Sequence, residues 1–112
     1  MLIYKILRAA EWQALDATGE TAGAPIDVAD GYIHFSTALH VRETAAKHFA
    51  GEDGLMLAAF ESDDMGDALK WELARGGVEF PHLYGPLRRK DVLWSCALPL
   101  VNGVHDFPRD ME

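Results

Sequence analysis

The longest unbroken apolar run in the chain is residues 55–60, Leu-Met-Leu-Ala-Ala-Phe, and it ends at Glu61. A bilayer-spanning helix takes about 20 consecutive apolar residues, so this run is far too short to cross a membrane. It is also too continuous for a half-exposed strand, in which apolar and polar residues alternate. The run therefore predicts a strand over residues 55–61 that is covered on both faces and central in its sheet. The rest of the chain must supply the covering layers. A length of 112 residues fits a single domain, 1–112, and buries roughly two thirds of the surface that the unfolded chain exposes. Neither a metal nor a disulfide is needed at that size, and the single Cys96 excludes an internal disulfide.

Around this strand the pattern changes several times. Residues 2–7 alternate and are rich in Ile, Leu and Tyr, which reads as a strand leading into a short helix that carries Trp12 and Leu15 one turn apart and stops near Gly19. Residues 18–30, with Gly19, Gly23 and Pro25, read as a connecting loop over a site. Residues 31–37, Gly-Tyr-Ile-His-Phe-Ser-Thr, alternate Tyr32, His34 and Ser36 against Ile33 and Phe35, as a strand with one polar face does. Ser36 or Thr37 is then the expected N-cap of a helix over residues 38–50, with Leu39, Ala45, Ala46 and Phe49 on its apolar side and Gly51 as its stop. Strands are predicted at residues 68–73 and 92–98, with a turn at Gly76-Gly77 and a stiff extended segment at residues 79–86 between them. Two early helices and strands gathered late describe an α+β fold, because a doubly wound sheet would alternate strands and helices regularly.

Charge and motif content narrow the function. Eighteen Asp and Glu outnumber ten Lys and Arg, for a net charge of −8, which makes nucleic acid and anionic membrane surfaces poor partners. The start of the chain has no apolar stretch of signal-peptide length before Arg8 and Glu11, so a cytoplasmic protein is expected. The histidines at 34, 40, 48, 82 and 105 contain no i, i+4 pair, and one cysteine cannot make a thiolate site, so no metal centre is expected. His40 and His48 read as part of a solvated helix face, and Cys96 as an inert mid-strand thiol. Neither the dinucleotide glycine pattern nor a P-loop lysine occurs.

Two segments place hydrogen-bonding groups among core-like residues. In His34-Phe-Ser-Thr the polar side chains run into the expected helix N-terminus, where free N–H groups favour an anion. In Phe80-Pro-His-Leu-Tyr-Gly-Pro the period of two puts His82 and Tyr84 on one side. That pair either grips a ligand or satisfies buried backbone groups. Glu72, between Trp71 and Leu73, is either a carboxylate in a cleft or an exposed strand residue, and Arg88-Arg89-Lys90 is either a phosphate contact or a solvated loop.

Four stretches, Ile3-Tyr-Lys-Ile, Gly31-Tyr-Ile-His-Phe-Ser-Thr, Leu69-Lys-Trp-Glu and Phe80-Pro-His-Leu-Tyr-Gly-Pro-Leu, resemble in order and spacing the bacterial domain-of-unknown-function 952 family over residues 2–98, leaving a tail at 101–112. The resemblance implies an ADP-ribosyltransferase-like fold, a split and mainly antiparallel β-sheet whose cleft binds NAD. It implies that His34 and His82 hydrogen-bond ribose or phosphate, that Ser36 and Thr37 belong to the same motif as His34, that Tyr32 or Tyr84 stacks, and that Glu72 orients a ribose hydroxyl. Lys5 stands where members usually have histidine, a place from which a lysine meets a phosphate instead. The expected catalytic set is then Glu72, His82 and His34, and the expected ligand contacts are Lys5, Tyr32, Ser36, Thr37, Tyr84 and Arg88. The implied activity is NAD or nucleotide binding with ADP-ribosyl transfer or NAD glycohydrolysis, the bond cleavage passing through an oxocarbenium-like centre. The alternative is a non-catalytic module that keeps the pocket without the reaction.

Overall fold

The computed structural model describes residues 1–111. The chain forms, in order, β1 (Leu2–Leu7), α1 (Ala9–Thr18), β2 (Glu20–Thr21), α2 (Pro25–Asp30), β3 (Ile33–His34), β4 (Ser36–Thr37), α3 (Val41–His48), β5 (Leu55–Glu61), β6 (Leu69–Leu73), β7 (Glu79–Leu83), β8 (Leu87–Arg88), β9 (Val92–Leu98), β10 (Leu100–Val101) and β11 (Val104–His105). The fold is α+β, and every strand pairing described is antiparallel. One sheet has the order β4-β1-β5-β9 and another the order β3-β7-β6, with two short two-stranded pairs beside them.

The apolar run is β5, flanked by β1 and β9 along its length. Its alternate side chains divide between two cores. Ala58 and Phe60 pack with Ile3, Leu15, Phe35 and Leu83 on the side of α1 and the three-stranded sheet, while Leu55, Leu57 and Ala59 pack with Tyr4, Val41 and Ala45 on the side of α3. Coverage on both faces is what the unbroken run required.

Three helices occupy the first half of the described chain, where two were expected. The third is α2, inside the stretch read as a loop. It begins with Pro25, whose missing N–H costs nothing at a helix start, and Asp27 reaches back to accept from the Ala24 N–H at 2.8 Å. Gly31 closes the helix at φ 84°, a left-handed conformation that glycine adopts without steric cost. So short a helix has too few positions for an apolar periodicity to register.

The expected strand over residues 31–37 is two short strands in different sheets. Ile33 and His34 pair with β7, whereas Ser36 and Thr37 pair with β1, and Phe35 crosses between them with its ring edge-on to Phe60 at 5.2 Å. Because Ser36 and Thr37 are held in that ladder, neither caps the next helix. The cap position is His40, α3 starts at Val41, and Leu39, expected on an apolar helix face, is 82% exposed. His40 thus lies at the cap outside α3, beside Phe80, while His48 is its last residue, and the His34 segment does not run directly into a helix N-terminus. The tail is anchored: Asn102 and Gly103, both at positive φ, turn β10 into β11, and Phe107 and Met111 pack on the second core.

Leu57 is fully buried at the centre of β5, so Leu57→Ala is expected to lower unfolding stability by about 2–5 kcal/mol in a urea titration. Leu39→Ala is expected to change it by less than about 0.5 kcal/mol, the reverse of what a core-facing helix position would give.

Candidate functional site

Lys5 lies mid-strand on β1 and is only 7% exposed. A buried ammonium requires a counter-charge, and Asp27 of α2 supplies it, with Lys5 Nζ 2.9 Å from Asp27 Oδ2 and 3.1 Å from the His34 carbonyl oxygen. The Asp27 carboxylate is itself fully buried and accepts from every side. Oδ2 takes the Ala24 N–H as well as Lys5, and Oδ1 takes the His34 N–H at 3.1 Å and lies 2.6 Å from His34 Nδ1. Burial alone would push this carboxyl up, but the His34 hydrogen bond and the Lys5 ammonium together bring it from an ordinary 3.8 down to about 2. The other ring nitrogen of His34, Nε2, faces Asp30 Oδ2 at 2.9 Å, on the next turn of α2.

A second network meets the first from β6 and β7. Glu72 Oε1 accepts the Tyr84 hydroxyl at 2.7 Å and lies 2.8 Å from His82 Nδ1. The Tyr84 hydrogen bond and then His82 hold the Glu72 carboxyl below its usual range, and the same bond holds the Tyr84 phenol up at about 12. His82 is buried, whereas Tyr84 stands 43% exposed. Tyr32 joins the two networks. Its ring centroid lies 4.1 Å from that of His82, 4.6 Å from that of His34 and, nearly parallel, 5.2 Å from that of Tyr84.

Tyr32, His34 and His82 border a cavity of about 600 Å³, the size of a small-molecule site. Its wall is mostly apolar and draws on β1, the start of α2, the β3–β4 crossing, the end of α3 and the Phe80 end of β7. Of the expected site residues, Lys5, Tyr32, His34, Ser36 and His82 are on that wall, and so is His48, which the sequence placed on a solvated helix face. Glu72 and Tyr84 stand behind it, joined to it through His82 and Tyr32. Thr37 is buried in the β4 ladder opposite Ile3, and Arg88 borders a separate cavity of about 140 Å³ with Asp64, Lys90 and Asp91. The structure therefore brings neither Thr37 nor Arg88 to the cleft. The expected phosphate contact at Lys5 meets a different arrangement, because Asp27 already occupies that ammonium.

Asp27, Asp30 and Arg8 are the site residues that sequence reasoning missed. Arg8 is on the cavity wall, forked onto Glu52 at 2.9 and 3.0 Å and stacked over Phe49. Pro25 followed two residues later by Asp27, then Gly31, was an available signal for a short capped helix. No spacing signal marks the Arg8–Glu52 pair. No group of three or more metal-ligating side chains occurs among the described residues. Likewise, no helix among them is long and apolar enough to cross a membrane.

The Asp27 carboxyl holds its proton less tightly folded than unfolded, so it stabilises the fold above about pH 4 and loses that effect as the pH falls toward 2. The contribution is on the order of 2 kcal/mol in urea titrations across this window, and Asp27→Asn is expected to remove that pH dependence. The variant also leaves Lys5 buried without its counter-charge, so the total loss near neutral pH is expected to be about 3–5 kcal/mol. At the other network, Glu72→Gln is expected to bring the Tyr84 phenol down from about 12, followed by an ultraviolet or NMR titration.

A comparison with curated proteins finds no match. Among solved structures, the crystal structure of protein CC0527 from Caulobacter crescentus is 48% identical, covers 95% of this chain and 94% of its own, and superposes with a TM-score of 0.91. A double mutant of that protein gives the same values. The solution NMR structure of CC0527 is 49% identical over 92% of this chain and 90% of its own, with a TM-score of 0.83. Residues 6–95, which carry most of the cleft's wall and both histidine segments, match the family described as a protein of unknown function, DUF952, and the chain belongs to that family.

Proposed function

We propose that the cleft binds a nucleotide of the NAD class and that its two sheets correspond to the two halves of an ADP-ribosyltransferase-like fold. One observation carries the reading: His34 and His82, distant in sequence, meet at 5.6 Å around Tyr32 on the wall of one cavity, with Glu72 bonded to His82 behind them. Two further features support it. The cavity is lined from the first strand and from the segment carrying His34, the places where such a fold would grip its ligand. Its volume suits a small ligand, and the net charge of −8 opposes a polyanionic one. Tyr32 and Tyr84 offer ring faces for stacking, and His34, Ser36 and His82 offer hydrogen bonds to ribose. In an enzyme of this kind Glu72 would act on a ribose hydroxyl or on the developing positive charge at the anomeric carbon.

A second reading, a binding module without turnover, is favoured by the Glu72 geometry. The hydrogen bonds of that carboxylate with described residues fall on Oε1, to His82 and Tyr84, and the residue is not on the wall of the cavity. The Lys5 ammonium, held by Asp27, is also committed to the fold.

Thermal-shift titration with NAD, run alongside an assay for released nicotinamide, separates these readings. A shift is expected with the native chain and a weaker one in His82→Ala, by about tenfold in affinity. Turnover that falls about a hundredfold or more in Glu72→Gln identifies an enzyme, whereas a shift without turnover identifies the module. The absence of any shift rejects the NAD reading.

A further inference from the structure

His82 is only 5% exposed, and its two ring nitrogens have different surroundings. Nδ1 lies 2.8 Å from Glu72 Oε1, the oxygen that also accepts the Tyr84 hydroxyl at 2.7 Å. Those contacts hold the Glu72 carboxyl below its usual range, so near neutral pH it is ionised and can only accept. The proton between the two side chains therefore sits on Nδ1, and in the neutral ring Nε2 keeps a lone pair. Nε2 has no partner among the described residues. Among those residues no polar side-chain atom closed to solvent lacks a partner, so Nε2 is open, and the space that His82 borders is the cleft. A second group on the same wall is fixed in the same sense. Thr44 spends its one hydroxyl hydrogen on the His40 carbonyl at 3.2 Å, so Ser36 is the donor in the 3.0 Å contact between Ser36 Oγ and Thr44 Oγ1. Ser36 Oγ then has lone pairs and no hydrogen left to offer. The bond from the Phe35 N–H to the Pro81 carbonyl keeps the start of β4, with Ser36, beside β7, with His82.

We infer that His82 Nε2, together with Ser36 Oγ on the same wall, recognises the ligand as a hydrogen-bond acceptor, so that the cleft takes a neutral group rich in donors, a primary carboxamide or a vicinal diol, and discriminates against the same group with its donors capped. Glu72 and Thr44 are positioning residues: they act on the ligand only by deciding which atom of His82 and of Ser36 carries the hydrogen. The inference rests on the reading that this cleft is the ligand site and not on the ligand being NAD. A ligand N–H or O–H pairs with the lone pair it meets, whereas an N-methyl or O-methyl group in its place leaves a desolvated acceptor without a partner. The other described ring nitrogens and cations at this part of the wall are already bonded: His34 to Asp27 and Asp30, Lys5 to Asp27 and the His34 carbonyl, and Arg8 to Glu52.

Nitrogen NMR of the full chain reads the His82 ring directly, at about pH 8, above the ordinary range for histidine. The expected state is a proton on Nδ1 and none on Nε2. Glu72→Ala, a change at a partly exposed position, is expected to give a mixture of the two tautomers in a chain that circular dichroism shows to be folded. Nicotinamide and adenosine are then titrated against N,N-dimethylnicotinamide and the di-O-methyl ether of adenosine's ribose diol, which lack the donors. At least one parent compound is expected to bind about tenfold more tightly than its capped form and to shift the Nε2 signal. That preference is expected to fall to near parity in His82→Ala and to weaken in Glu72→Ala and Ser36→Ala. A proton on Nε2 in the native chain overturns the inference, as does equal binding of parent and capped forms, a donor preference that survives His82→Ala, or no binding by any of the four. A donor preference with no response to NAD rejects the NAD reading alone, and NAD binding to a chain with Nε2 protonated rejects this inference alone.

Discussion

A carboxylate without access to water holds the candidate site together. Moving Asp27 out of solvent carries an effective penalty of several kcal/mol, which is offset only if its oxygens find donors and its charge finds a partner. Each oxygen accepts twice: Ala24 N–H and the Lys5 ammonium at Oδ2, and the His34 N–H and ring Nδ1 at Oδ1. These donors come from β1, from the entry to α2 and from β3, so the one side chain fixes the mutual placement of all three. It also fixes the backbone beside it. A Cβ at Gly23 would lie 2.4 Å from Asp27 Oδ2, and Gly23 holds φ 98°, so both the space and the conformation require glycine there. Since Asp27 holds His34 through Nδ1, the imidazole plane and the direction of Nε2 are settled before any ligand arrives.

Much of the sheet was legible because its cause is local. The continuous run at Leu55–Glu61, the alternation of Leu2–Leu7 and the apolar content of Val92–Leu98 gave strands with the observed bounds. Gly19 stopped α1 as a left-handed cap, with its N–H bonded to the Leu15 carbonyl. What failed depended on partners remote in sequence. Ser36 and Thr37 look like helix caps by composition, but β1 claims their backbones through the pairs Tyr4↔Ser36 and Ile3↔Thr37, and the helix start moves to Val41. Likewise the apparently continuous strand divides at Phe35, whose N–H still bonds to the Pro81 carbonyl of β7 while the next residues pair with β1.

The site divides in the same way. His82 and Tyr84 were readable as a same-side pair from a period of two in a proline-stiffened strand, and both reach one oxygen of Glu72. The pairing of Ile33 with Leu83 and of His34 with His82 then brings the first histidine segment against the second, a register no local pattern contains. Asp27 had no sequence signature as a buried charge, because Pro-Ile-Asp-Val-Ala-Asp reads as polar connecting chain until the position of Lys5 is known. Lys5 stood out only as a departure from the histidine of a resembling family, and its partner could not be named without the fold.

Charge accounting follows from these assignments. In the basic run at residues 88–90, Arg89 pairs with Asp16 and stacks over Trp12, while Arg88 and Lys90 share a small cavity with Asp64 and Asp91. Lys5 and Arg8, the lysine and arginine on the wall of the main cleft, are each held by a carboxylate. The lysine and arginine on the cleft's wall thus serve the fold, while Asp30 and Glu72 are partly exposed and bonded to the His34 and His82 imidazoles. A negatively charged part of a ligand that reached the Lys5 ammonium would have to displace its buried pair with Asp27, at a cost of several kcal/mol.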